Sequence, residues 1–249
     1  MHIGLSTELV TEYLAVLSSS PLFRDLSEEQ LRRFLSSPNL SISNYKKNSF
    51  IAIAGEPMEG IGILLKGHAH LTRENVLGQR TIMTDLTPSA MFGEAILFTD
   101  MPNWPATIQT TLDSTVLFLP KSAFTTSFNN CDACQVQILT NLLHDMSEKA
   151  LALTRKVHYL SLKGMRERIF AYFDDLYTYQ KQNPIRLPHN RQEMADVLNV
   201  SRTSLSRELG RLQDEKIIEF EGKKVKLLDL NAINEYRLIG QKVCVAFLN

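Results

Sequence analysis

The stretch from Asn190 to Lys216 carries cationic and hydroxyl side chains at helical spacing. Guanidinium groups form paired hydrogen bonds with phosphates and with the edges of bases, and hydroxyl groups bond to either. The spacing places these side chains on one face of a predicted helix, on which Glu208 is the only acid. This pattern predicts a surface that reads base edges with the first turns of a helix. Its members are Arg202, Thr203, Ser206, Arg207 and Arg211.

Two helices joined by a short turn are predicted across this stretch. Asn190 is predicted to cap the first helix, with Glu193 three residues later to complete a capping box. Asn199 suits the turn because asparagine tolerates a left-handed backbone, and Ser201 is predicted to cap the second helix. Paired amphipathic helices are also common as plain structure, so the motif alone leaves both interpretations open. The apolar residues that would pack the two helices together are Met194, Val197, Leu198, Leu205, Leu209 and Leu212.

A predicted β-hairpin follows the second helix. Ile217–Phe220 and Lys224–Leu228 read as two short strands around Glu221-Gly222. A hairpin in this position makes a winged helix-turn-helix. Lys223 and Lys224 would then lie at the tip of the wing, beside the phosphates of the bound DNA. The charge distribution agrees, because residues 161–249 hold fifteen basic and twelve acidic residues, whereas residues 1–160 hold twelve and fifteen.

The composition is that of an ordinary globular protein. The 249 residues suggest one large or two modest domains, with 44% hydrophobic and 22% charged residues and a net charge of zero. No apolar run approaches the roughly 20 residues that span a bilayer, and no signal peptide is seen, so no membrane partner is expected. An odd count of three cysteines fits a reducing cytoplasm. Because no catalytic motif of the common enzyme classes is present, we expect no enzyme.

The N-terminal half reads as helices followed by a β domain. The chain is predicted helical up to about Ser37, with Ser27 starting a capping box. Many short β-branched runs separated by turn signals then indicate an antiparallel, jelly-roll-like β domain and not a parallel sheet. The predicted strands are Phe50–Ile53, Ile61–Leu65, His68–Thr72, Thr81–Leu86, Thr107–Leu112 and Thr115–Leu119.

A long helix is predicted from about Cys134 to Leu160. Its apolar residues recur in alternating steps of four and three, which is the seam of a two-stranded coiled coil, and this predicts a homodimer. The alternative is that the same stripe packs on the chain's own β domain. Gly164 is predicted to be a hinge, followed by a helix over Met165–Lys181. The seam consists of Leu139, Leu143, Met146, Ala150, Leu153, Val157 and Leu160.

This order of elements resembles the Crp/Fnr superfamily of bacterial transcription regulators. The resemblance implies an α+β fold with an N-terminal β-roll sensor domain over residues 1–133, a dimerisation helix over 134–162, and a winged helix-turn-helix DNA-binding domain with a C-terminal extension over 163–249. The motifs that carry the resemblance are Gly55-Glu56-Pro57, Leu64–Gly67, Phe92-Gly93-Glu94, Ala106-Thr107-Ile108, and the stretch from Asn190 to Arg207.

The resemblance also implies a DNA partner and the residues that bind it. Arg202 and Arg207 would reach base edges, while Arg191 and Ser201 would hold phosphates of a palindromic double-stranded operator. Thr203 departs from the glutamate common in the family at that position, so we expect the operator to differ at that base pair. RNA polymerase is a further partner if the protein is an activator, and the sequence leaves open whether it activates or represses. The remaining predicted DNA contacts are Ser204, Ser206, Lys223 and Lys224.

The sensor side departs further from the cyclic-nucleotide-binding members of the family. Those members carry an Arg-Ser pair about ten residues after Phe-Gly-Glu, where this chain has Trp104-Pro105, and no basic residue lies between Glu94 and Lys121. A buried phosphate without a cation is costly, so we predict no binding of cAMP or cGMP. A smaller or aromatic effector beside Trp104 and a site simply filled by Trp104 both stay open, and no cofactor is expected. The predicted effector residues are Phe92, Gly93, Glu94, Trp104, Thr107 and Thr154.

The sequence also bears on a redox site, a metal site and a function other than DNA binding. Cys131 and Cys134 would lie at the start of the long helix, where a thiol pKa falls, so a redox sensor is conceivable. His68 and His70 share one face of a strand, but no cysteine or carboxylate neighbours them in sequence, so no metal site is predicted. The runner-up function is a ligand-binding regulatory module that controls a protein partner without binding DNA.

Overall fold

A computed structural model of the chain describes residues 7–37, 39–75, 77–124 and 133–234. The chain divides into two units, Met1–Lys149 and Ala150–Asn249. The first unit begins with α1 (Thr7–Ser18) and α2 (Glu28–Leu35). Ser27 caps α2 as predicted, because its hydroxyl accepts from the Gln30 amide at 3.2 Å while the Gln30 side chain accepts from the Ser27 amide at 2.8 Å.

Two four-stranded antiparallel sheets form the body of the first unit. The strands are β1 (Ser41–Tyr45), β2 (Phe50–Ala52), β3 (Gly60–Lys66), β4 (Ala69–Glu74), β5 (Arg80–Leu86), β6 (Met91–Phe92), β7 (Thr107–Thr110) and β8 (Ser114–Pro120). Their orders in the two sheets are β1-β8-β3-β6 and β2-β7-β4-β5, which confirms the predicted antiparallel β domain. All six predicted strands are present. β1 is too polar to be predicted from sequence, and β6 has only two residues and is fixed by its pairing with β3.

Apolar side chains cover both faces of the sheet that contains β3. One face packs on the second sheet through Leu64, Val116 and Ile108, and the other packs on the helices through side chains such as Ile63 and Leu117. All of these side chains are buried. This explains why β3 reads as a continuous apolar run and not as alternating polar and apolar residues.

The long helix α3 (Ala133–Ser161) confirms the predicted helix. Near its start Cys134, Ile138 and Leu142 are buried in the core of the first unit. Asn141 fastens the same face, because its side-chain amide donates to the backbone carbonyls of Leu22 at 3.0 Å and Arg24 at 2.7 Å.

The predicted seam along α3 is divided between two environments. Leu139 and Met146 are half-buried against the core of the first unit, so the alternative of packing on the β domain holds for these two. Ala150 is exposed, and the larger side chains Leu143, Leu153, Val157 and Leu160 are 68%, 65%, 66% and 41% exposed. The protomer therefore leaves most of this apolar stripe uncovered.

The second unit is built around a helix-turn-helix and a three-stranded sheet. The elements are α4 (Met165–Gln180), β9 (Ile185–Arg186), α5 (Arg191–Leu198), α6 (Arg202–Asp214), β10 (Ile218–Glu221), β11 (Lys224–Leu227) and α7 (Leu230–Asn234). The strands β10, β11 and β9 are antiparallel neighbours in that order, so the predicted hairpin is confirmed and gains a third strand. Residues 235–249, which include most of the predicted C-terminal extension, lie outside the described residues.

Candidate nucleic-acid interface

Local hydrogen bonds fix the beginning of α5 and the turn that follows it. The Asn190 side chain accepts from the amides of Gln192 at 2.9 Å and Glu193 at 3.0 Å, and Glu193 accepts from the Asn190 amide at 2.8 Å. This is the predicted capping box. Asn199 ends the helix with a φ of 53°, the left-handed conformation that its residue type tolerates. These signals set the angle at which the next helix leaves the turn.

Ser201 caps α6. Its hydroxyl oxygen accepts from the Ser204 amide at 3.1 Å and donates its proton to the Ser204 hydroxyl at 2.8 Å. Because that proton is already used, Ser201 can meet a phosphate only by giving up its bond to Ser204. In the free protein Ser201 is thus a helix cap, and its contact with a phosphate stays a prediction.

The two sides of α6 have opposite characters. Leu205, Leu209 and Leu212 are buried at 1% exposure or less and face the core of the second unit. Within the described part of the chain, neither Arg202 nor Arg207 has an ion-pair partner, so both guanidinium groups keep their hydrogen-bonding capacity. The exposed side consists of Arg202, Thr203, Ser206, Arg207 and Arg211, while Ser204 is half-buried.

Glu208 does not lie on the exposed face, and the expectation that placed it there is wrong. The side chain is buried, and its carboxylate accepts from Arg166 of α4 at 2.7 Å and from Arg211 at 3.2 Å. Glu208 is three residues after Leu205 and four before Leu212, so helical spacing already indicated the apolar side. Its burial leaves the outer face of α6 without an acid among the positions predicted to meet DNA.

Arg166 joins the start of α4 to the end of α6. Besides Glu208, it forms a paired ion pair with Glu215, with nitrogen to oxygen distances of 2.7 Å and 2.8 Å. The hydrogen bonds that Arg166 donates to Glu215 and to Glu208 raise the pKa of Arg166, and the contact with Arg166 lowers the pKa of Glu215. Arg166, which lies outside the helix-turn-helix, therefore fixes the position of α6 through two acids.

Arg191 lies over the wing and not in open solvent. Its guanidinium carbon is 4.3 Å from the centre of the Phe220 ring in β10, a cation-π distance. Burial lowers the pKa of Arg191, and its buried Nη1 has no hydrogen-bond partner among the described residues. The contact ties the first turn of α5 to the wing, which sequence spacing did not predict.

The wing presents a small basic group. Gly222 turns the hairpin with a φ of 64°, and Lys223 and Lys224 are exposed at the predicted tip. Lys224 pairs in register with Arg186 of β9, a cation that the sequence reasoning missed because β9 is distant in the chain. A shallow cavity of about 480 Å³ beside the tip is lined by Gln180, Gln182, Arg186, Leu187, Pro188 and Lys223.

On the sensor side, Trp104 occupies the predicted effector site. A Cβ atom on Gly93 would lie 2.9 Å from the indole ring, so the ring rests directly on the Gly93 backbone, which has a φ of 87°. The indole also packs on Phe92, with ring centres 6.1 Å apart. Its backbone is held by Gly55 and Glu56 through hydrogen bonds of 2.8 Å and 2.9 Å. This geometry favours the interpretation in which Trp104 fills the site.

Glu94 has a cationic partner that sequence reasoning missed. The Lys149 ammonium of α3 donates to Glu94 at 2.6 Å and forms an ion pair with Asp145 at 2.7 Å, and the Glu94 side chain is only 10% exposed. Burial depresses the pKa of Lys149, but the bonds to Asp145 and Glu94 outweigh this and raise it. The Glu94 carboxylate therefore already has a cationic partner, which it shares with Asp145.

Three other residues of the predicted effector and redox sites have polar contacts within the protein. Thr107 accepts from the Ala54 amide at 3.1 Å, and Thr154 is exposed and donates to the Ala150 carbonyl of its own helix at 2.9 Å. Cys134 is buried, with its sulfur 3.6 Å from the Gln30 carbonyl oxygen, whereas Cys131 lies outside the described residues.

Among the helices that the structure describes, none combines the length and apolarity needed to cross a membrane.

Two family models match the chain, one in the β domain and one in the helix-turn-helix region. The cyclic nucleotide-binding domain matches residues 42–131, and the Crp-like helix-turn-helix domain matches residues 167–236. This chain belongs to the Crp/Fnr superfamily of bacterial transcription regulators. Crp/Fnr proteins are regulators and not enzymes, which confirms the expectation drawn from the motifs.

Known Crp/Fnr regulators are similar to parts or most of the chain. The probable transcriptional regulator flp of Lacticaseibacillus casei is 32% identical over 111 residues, which are 45% of this chain and 51% of that protein. The cAMP-activated global transcriptional regulator CRP of Pasteurella multocida is 25% identical over 190 residues, 74% of this chain and 88% of that protein. The match with flp thus spans about half of that relative's length.

A solved Crp/Fnr structure supports the fold. The crystal structure of the Thermus thermophilus catabolite activator protein has a TM-score of 0.51 and 22% sequence identity, and the match covers 87% of this chain and 98% of that one. The likeness confirms the α+β fold class of a β domain, a long helix and a helix-turn-helix region.

Proposed function

We propose that this Crp/Fnr protein binds a palindromic operator in double-stranded DNA as a homodimer and thereby regulates transcription. The observation that carries the proposal is the exposed face of α6, on which Arg202 and Arg207 lack ion-pair partners within the described part of the chain. An arginine bound to guanine through two hydrogen bonds contributes about 1–3 kcal/mol of discrimination against the wrong base. Lys223, Lys224 and Arg186 supply phosphate contacts at the wing.

The uncovered stripe on α3 supports the dimer. Four large apolar side chains there, from Leu143 to Leu160, are at least 41% exposed in the single protomer. Burying a leucine or valine side chain contributes about 1.5–3 kcal/mol, so pairing two copies of the stripe is strongly favourable. A two-fold dimer with recognition helices about 34 Å apart reads two half-sites of a palindrome. Residues 1–133, 134–162 and 163–249 would then serve sensing, dimerisation and DNA binding.

The effector is something other than cAMP, or no effector is used. Trp104 lies against Gly93, and Lys149 already pairs with Glu94, so a cyclic phosphate would compete with the indole for space and with Glu94 for this cation. Because the DNA of a bacterial cell lies in the cytoplasm, we place the protein there. RNA polymerase would be its partner at promoters where it activates.

The test begins with sequences selected from random duplex DNA by the full-length protein. Arg207→Ala is expected to lose about 1–3 kcal/mol of affinity for the selected site and to relax the preference at one base pair. The matched control is Arg211→Ala, which removes the same charge from the same helix but from a residue bound to Glu208. We expect the control to keep the base preference. Removing Lys223 should weaken the binding of all DNA sequences equally, and it should reduce the slope of log affinity against log salt concentration by about 1.

Two outcomes contradict the proposal. One is a selection that enriches no sequence, and the other is an Arg202→Ala, Arg207→Ala double variant that binds the selected site as tightly as the wild type. Either would favour a regulatory module that acts on a protein partner.

A further inference from the structure

Two histidines and an aspartate meet on the outer side of the first unit. One ligand atom from each of His68, His70 and Asp85 lies within 4.8 Å of the others. His70 belongs to β4, and Asp85 is its direct partner in register on the neighbouring strand β5. The two histidines are half-buried and Asp85 is exposed, so the cluster is open to ions from solvent. Sequence reasoning missed the carboxylate because fifteen residues separate it from His70.

Hydrogen bonds hold the His68 ring in a form that can bind a metal. Nδ1 of the His68 ring lies 2.6 Å from the Thr111 hydroxyl oxygen, and the same hydroxyl oxygen lies 3.3 Å from the His68 carbonyl oxygen. When Nδ1 donates its proton to Thr111, Nε2 keeps a lone pair that can bind a metal. A metal-binding histidine is commonly oriented in this way by a hydrogen bond at its other nitrogen.

His70 and Asp85 form a second oriented pair. Nδ1 of His70 lies 2.5 Å from a carboxylate oxygen of Asp85, and the His68 and His70 rings are perpendicular with centres 5.2 Å apart. Gln109, the partner of His70 on β7, is not available as a ligand, because its amide already bonds Arg80 at 2.8 Å and the Asn48 carbonyl at 3.0 Å. The ligand set is thus two imidazoles and one carboxylate.

We propose that His68, His70 and Asp85 bind one divalent transition-metal ion of the zinc class. Zinc bonds to imidazole nitrogen and carboxylate oxygen are about 2.0–2.2 Å long, so small side-chain rotations bring donors that lie within 4.8 Å onto one ion. The ion takes the place of the hydrogen bond between His70 and Asp85, and the proton of that bond is released to solvent. Imidazole donors select zinc, copper, nickel or iron over magnesium and calcium, which prefer oxygen alone. Water completes the coordination, because the site is at the surface.

The test uses the full-length protein without a histidine tag. Isothermal titration with Zn²⁺ is expected to show one bound ion per chain, and Co²⁺ should give the weak visible bands of nitrogen and oxygen ligands. His70→Ala and Asp85→Asn should each weaken the binding by more than Thr111→Val, for which roughly a 10-fold loss is expected from a lost orienting hydrogen bond. Thermal melting without metal verifies that each variant is folded.

Matched controls separate this site from other donors. His144→Ala removes an exposed histidine of α3, and Asp113→Asn removes an exposed carboxylate bonded to Lys46, so neither should change the titration. The proposal is overturned if no Zn²⁺ binds at millimolar concentration, if His70→Ala binds as the wild type does, or if Co²⁺ shows the intense near-ultraviolet bands of cysteine ligation.

Discussion

At the scale of single residues, we predict that Thr203 sets a base preference that a glutamate at this position would change. Thr203 is exposed on the first turn of α6, next to Arg202. A glutamate accepts a hydrogen bond from cytosine, whereas a threonine methyl contacts the methyl group of thymine. We predict that Thr203→Glu changes the preferred base at one position of each half-site, by about 1–3 kcal/mol. Competition between operators that differ only at that pair measures the change.

Thr203→Ser is the matched control, since it keeps the hydroxyl group and removes the methyl group. It should lose the preference for thymine without gaining one for cytosine. Unchanged preferences in the glutamate variant would mean that residue 203 does not reach the bases.

Trp104 leads to a prediction about cyclic nucleotides. The indole ring lies on Gly93, and the Lys149 ammonium is already paired with Glu94 and Asp145. A cyclic phosphate would lose its water and gain no free cation in return. We predict no heat of binding when the protein is titrated with cAMP or cGMP to millimolar concentration. The cAMP-activated CRP of Pasteurella multocida provides the positive control, and micromolar binding by this chain would refute the prediction.

At the scale of elements, the capping box of α5 makes a measurable contribution to stability. Asn190 satisfies two backbone amides that would otherwise lack partners at the start of the helix. We predict that Asn190→Ala lowers the free energy of unfolding by about 1 kcal/mol, while Asn190→Asp keeps most of the cap. Denaturation followed by circular dichroism measures the change. Trp104, the single tryptophan, gives a separate fluorescence signal from the first unit. Equal losses for Asp and Ala would contradict the capping role.

Elements whose signals are local were predicted well from the sequence. Asn190 caps the start of α5, Asn199 supplies the left-handed residue at its end, and Ser201 caps the start of α6. Each of the three forms hydrogen bonds with backbone groups within four residues. Both ends of α5 and the start of α6 follow from these residues alone. β6 was missed because it has two residues and exists through its pairing with the distant β3.

Contacts between distant parts of the chain were beyond sequence reasoning. Lys149 meets Glu94 across 55 residues, and Arg166 meets Glu208 across 42, so no spacing rule connects them. Arg191 shows the limit most clearly, because the family resemblance implied a phosphate contact, while the structure places its guanidinium over Phe220 of the wing. The sequence thus predicted the exposed side chains of α6, but not the contacts that support the helix.

At the scale of the whole molecule, the proposed dimer depends on the uncovered part of the α3 stripe. Leu153 is 65% exposed at the centre of that part, and its neighbour Ala152 is also exposed but lies off the seam. We predict that Leu153→Asp converts a dimer into a monomer, because two buried carboxylates would face each other without partners. Ala152→Asp adds the same charge to the same turn and should leave the dimer intact. Sedimentation at micromolar concentration measures the mass, and the monomer should lose its preference for a full palindrome over one half-site. A wild-type monomer, or a dimer that survives the Leu153 change but not the Ala152 change, would require a different surface to pair the recognition helices.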